Sequence, residues 1–87
     1  MHPSLNVPRP GQQRWTYAAL SVVDGDRRLK PTHAAFDRLY FAEPPRLISN
    51  RIEIILTNGT AEQRHTAVVL PHDPHATRIP IQLVPTG

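Results

Sequence analysis

From Arg51 to Leu56 the side chains alternate: Ile52, Ile54 and Leu56 interleave with Arg51, Glu53 and Ile55. A period of two puts every second side chain on one face of a pleated strand. Asn58-Gly59 follows, a dipeptide suited to a two-residue hairpin turn, and strand character resumes through Leu70. A turn centred there predicts Thr57 opposite Thr60, Glu53 opposite Arg64 and Ile52 opposite His65. The Glu53–Arg64 pair would support that register by opposite charge.

The same reading predicts a first strand over Arg14–Val23, where aromatic and β-branched residues dominate. Asp24-Gly25-Asp26 then supplies a turn, with Gly25 free to take positive φ. Arg27–Lys30 returns as a short strand that Pro31 stops. In Thr32–Ala42, Thr32 can cap a helical turn whose face carries Ala35, Phe36 and Leu39. Leu39–Ala42 then reads as strand, ended by Glu43-Pro44-Pro45. The last strand runs Arg78–Val84, with Ile79, Ile81 and Leu83 on one face. Pro80 has no N–H for a ladder, which predicts a sheet edge or a bulge there.

Composition narrows the fold class. Ten prolines in 87 residues exclude long helices, because proline breaks a helix interior. The expectation is an all-β domain: a small five- to six-stranded antiparallel barrel or sandwich, with at most one short helix near residues 32–39. Residues 1–12 alternate proline with polar residues and read as a flexible arm. Residues 13–87 read as a single domain, short enough to have only a thin core.

Net charge is +3, and Lys30 stands alone beside nine arginines. Arginine suits bidentate contact with phosphate, but seven acidic residues are interspersed and no run of like charge forms a tail. There is no cysteine, hence no disulfide framework and no thiolate metal site. Met1–Pro8 lacks the apolar core of a secretory signal, and no stretch approaches the roughly 18 apolar residues of a membrane span. A cytoplasmic location, with no membrane partner, is the resulting expectation.

Candidate chemistry is sparse. His65, His72, Asp73 and His75 are of metal-ligating type, but Pro71-His72-Asp73-Pro74-His75 reads better as a rigid turn in which Asp73 bonds its own backbone. No cofactor is expected. Four scattered glycines form no phosphate-cradling loop. Neither Ser21 nor Ser49 has a nucleophile-elbow setting, so no catalytic residue and no small-molecule substrate is evident.

The functional expectation is a non-enzymatic module for protein interaction or self-association. Its candidate surface is the presumed edge strand Arg78, Ile79, Pro80, Ile81, Gln82 and Leu83. The alternative is a nucleic-acid-binding β-barrel in which Trp15 and Tyr17 stack bases beside Arg14, Arg38 or Arg46.

Overall fold

A computed structural model describes residues 19–85. Its strands are β1 (Ala19–Asp24), β2 (Arg27–Leu29), β3 (His33–Ala35), β4 (Arg38–Tyr40), β5 (Arg51–Asn58), β6 (Ala61–Val69) and β7 (Arg78–Leu83). All pairings are antiparallel, and the strands form one open sheet of order β2-β1-β5-β6-β7-β4-β3. The all-β expectation holds. Among the described residues, however, the sheet has seven strands and does not close into a barrel. Arg14, Trp15, Tyr17 and the proposed arm lie outside the described residues.

Strands β2 and β3 are consecutive in sequence yet occupy opposite ends of the sheet. Laid flat, six inter-strand steps would separate them by about 29 Å. The link from Leu29 to His33 spans at most about 14 Å. The sheet must therefore roll until its two edges approach each other, although they do not pair. Rolling gives the single layer an inside. Leu20, Val22, Ala34, Leu39, Ile52, Ile54, Leu56, Ala67, Ile79 and Ile81 form one buried cluster there. Each fully buried leucine or isoleucine contributes roughly 1.5–3 kcal/mol.

The helical turn expected over residues 32–39 is absent, and a hairpin of β3 and β4 takes its place. A helix carrying Ala35, Phe36 and Leu39 on one face would need a second layer to bury them against. The hairpin instead pairs Ala34 with Leu39, both fully buried, and leaves Phe36 at the turn, 47% exposed.

The long hairpin forms, two residues out of the expected register. Asn58 pairs with Ala61, Thr57 with Glu62, Glu53 with Thr66 and Ile52 with Ala67. Gly59 takes φ 66° as the first of two loop residues, the φ signature of a type II′ turn, which confines positive φ to one glycine. A turn on Asn58-Gly59 would have forced Asn58 to positive φ as well. A shift of two keeps every side chain on its face, whereas a shift of one would have exposed the core set.

Strand β7 is not an edge. Ile81, Gln82 and Leu83 pair with β6, while Arg78, Ile79 and Pro80 pair with β4. The Pro80 carbonyl accepts the Leu70 N–H at 3.0 Å. A reciprocal bond from residue 80 to the Leu70 carbonyl would complete the pair, but proline has no N–H. The His72 Nδ1 lies 2.8 Å from that same carbonyl and fills the vacancy. A carbonyl only accepts, so His72 carries its proton on Nδ1.

Candidate functional site

Two loops meet at one end of the rolled sheet: residues 41–50 between β4 and β5, and residues 70–77 between β6 and β7. Between them lies a cavity of about 540 Å³ lined by Glu43, Pro44, Arg46, Leu47, His72, Pro74 and His75. A second hollow beside it is lined by apolar Leu47, Ile48 and Leu70 together with polar Ser49, Asn50 and His72. Leu47 and His72 line both hollows, which together make up the groove between the two loops.

The first loop is held from the β1–β2 hairpin. Asp24 is fully buried, and its Oδ2 and Oδ1 accept the Ile48 and Ser49 N–H groups at 2.8 and 3.0 Å. Arg27 sits 4.0 Å from the same carboxylate. Its guanidinium donates to the carbonyls of Arg46 at 2.9 Å and Pro45 at 3.0 Å. Charge-assisted bonds of this kind are roughly twice as strong as neutral ones. They hold Arg46 at φ 53°, the one positive φ outside glycine among the described residues. Such a conformation costs a side-chain-bearing residue about 1–2 kcal/mol. Gly25, at φ 67°, keeps the hairpin tip close to the loop: a Cβ there would meet the Ile48 Cδ1 at 3.3 Å.

The second loop is rigid for local reasons. Asp73 Oδ1 accepts the His75 N–H at 2.7 Å, and the Asp73 carbonyl accepts the Ala76 N–H at 2.9 Å. This is the turn-forming role of aspartate, bracketed by Pro71 and Pro74. The Thr77 carbonyl accepts the Phe41 N–H at 2.9 Å, joining the loop base to the end of β4. His72, fixed through Nδ1, has its Nε2 left over for a donor. His75 is the other imidazole of the groove.

His65 is elsewhere. It lies on β6 opposite Ile54, on the inward face, where burial pulls its pKa below the ordinary histidine value. His65, His72, Asp73 and His75 are thus not one cluster. Among the described residues, no three histidine, aspartate or glutamate side chains converge to hold a metal ion.

The other residues singled out from sequence are also dispersed. Ile79 and Ile81 are core residues, exposed by 0% and 3%, while Arg78 and Pro80 pair with β4 and Gln82 and Leu83 pair with β6. The segment therefore lies between β6 and β4 and not at an end of the sheet. Arg38 lies on β4 and faces outward, while Arg46 lines the groove. Sequence reasoning missed Glu43, Leu47 and Ile48 in the groove, and Asp24 and Arg27 behind it. The available signal was charge at a turn: Asp24 and Arg27 flank Gly25-Asp26.

No family model, curated protein or solved structure matches this chain. Among the described residues no helix is long and apolar enough to cross a membrane.

Proposed function

We propose that this domain is a non-enzymatic protein-interaction module whose groove docks an extended segment of a protein partner. A carboxylate of the partner sits on Arg46, a backbone N–H meets His72 Nε2, and an apolar side chain packs on Leu47 and Ile48. The observation that carries this reading is the clamp. A buried carboxylate and an arginine hold Arg46 at φ 53°, and the loop so held leaves Ile48 65% exposed. Strain of this sort persists only where the surrounding structure over-determines it, and it concentrates at ligand-binding loops. Proline-braced loops lose little entropy on binding, which favours a docking role. Ser49, which lines the second hollow, donates its hydroxyl to the Arg51 carbonyl at 3.0 Å and accepts the Arg51 N–H at 3.2 Å. Its engagement supports a binding role over nucleophilic chemistry.

Selection of short random peptides on the folded protein tests the reading. Enriched peptides should pair an acidic residue with an apolar one and shift the amide resonances of Arg46–Asn50 and Leu70–His75. Enrichment of none, or shifts confined to other strands, would sink it.

A further inference from the structure

We infer that the outer face of β3, β4 and β7 binds single-stranded nucleic acid, a property independent of the groove. Leu39 and Ala34 point inward and are fully buried, so by alternation their neighbours point outward. The pairings then set His33 beside Tyr40 and Tyr40 beside Arg78 in one cross-strand row, with Arg38 on the same face two residues before Tyr40. The rings of His33 and Tyr40 are stacked, 4.0 Å between centroids and 20° apart.

Two features of this face select a nucleic acid over an acidic protein. No residue of β3, β4 or β7 is a carboxylate, in a chain that elsewhere intersperses acidic with basic residues. Asp37 lies in the turn between β3 and β4. Arg38 and Arg78 are both exposed and offer forked donors for successive phosphates. The stacked pair is the second feature. An acidic peptide needs only the charges, whereas a base extends a column of flat rings, and stacking on an aromatic side chain tolerates any base. Docking on a sheet face also leaves the backbone ladder intact.

Fluorescence anisotropy of a labelled single-stranded thymidine oligomer with the full chain tests the inference. Binding at low salt should weaken on salt addition with a log–log slope of roughly −1.4, for two phosphates on a single strand. Arg38→Gln or Arg78→Gln should each flatten that slope by roughly 0.7. Tyr40→Leu should weaken binding about tenfold, while Tyr40→Phe retains it. Inorganic polyphosphate, which has no bases, should compete poorly and be indifferent to Tyr40→Leu. If Tyr40→Leu lowers the melting temperature, the arginine variants and amide shifts on β3 and β4 carry the test alone. The inference is overturned by failure to bind the oligomer at low salt, by an affinity unchanged in all three variants, or by polyphosphate competing as well as the oligomer. None of these outcomes bears on Arg46 or Ile48, so the groove stands or falls separately.

Discussion

His72 completes the ladder position that Pro80 leaves empty. Its Nδ1–H reaches the Leu70 carbonyl at 2.8 Å, while the Leu70 N–H bonds the Pro80 carbonyl at 3.0 Å. A proline in an interior strand ordinarily leaves a carbonyl of the neighbouring strand unpaired, and here an imidazole two residues along supplies the donor. The same bond orients His72 in the groove, which ties strand pairing to the proposed site.

This predicts energetic coupling between the two residues. His72→Ala should cost about 1 kcal/mol in urea unfolding, a typical net hydrogen bond. In a Pro80→Val background the strand regains an N–H for the Leu70 carbonyl, and the cost of His72→Ala should largely disappear. Additive effects in the double-mutant cycle would show that His72 does not stand in for the missing donor.

Asp24 and Arg46 predict opposite outcomes at the two ends of one clamp. Asp24→Ala strands two amide donors beside the buried position, and should destabilise by about 2–3 kcal/mol. Arg46→Gly removes the left-handed strain and should stabilise by roughly 1 kcal/mol, while weakening acidic peptides selected on the groove. Thermal melts of both variants, with peptide titration of the second, check this. A less stable Arg46→Gly protein would mean the strain is not there.

His65 makes stability depend on pH. Burial lowers its folded pKa below the unfolded value, so the unfolded chain binds the proton more readily. Its contribution is fully present above about pH 6.5, the unfolded value, and is lost as pH falls toward the folded pKa. Urea midpoints measured downward from pH 7.5 should fall through this window, and the decline should be shallower in His65→Gln. An equally steep decline in that variant would assign it to other groups.

Gln63 faces inward opposite Leu56, and its Oε1 is buried without a partner. Gln63→Leu removes that unmet acceptor, so it should raise stability by about 1 kcal/mol. Loss of stability on substitution would show that the glutamine amide is satisfied in solution.

The alternation at Ile52, Ile54 and Leu56 determined β5, its inward face and its hairpin with β6, because strand faces have a period of two whatever the fold. Gly25 and Gly59 marked the turns of the β1–β2 and β5–β6 hairpins, since positive φ is cheapest at glycine. Glu53 and Arg64 form their ion pair at 3.0 Å, but as diagonal neighbours, because the turn slid to Gly59-Thr60 and long side chains reach across that offset. Which strands neighbour one another beyond those two hairpins was not legible. Residues 32–39 carry both helical and strand patterns, and the need to cover the inside of a single rolled layer chose the hairpin. Pro80 correctly reported a missing donor, yet only the tertiary structure placed His72 beside the carbonyl concerned and so allowed β7 into the interior. The groove was legible least of all. Asp24, Arg27, Arg46 and His72 come from three separate turns and loops, and local sequence encodes each turn, whereas their convergence follows from the long-range pairing that rolls the sheet.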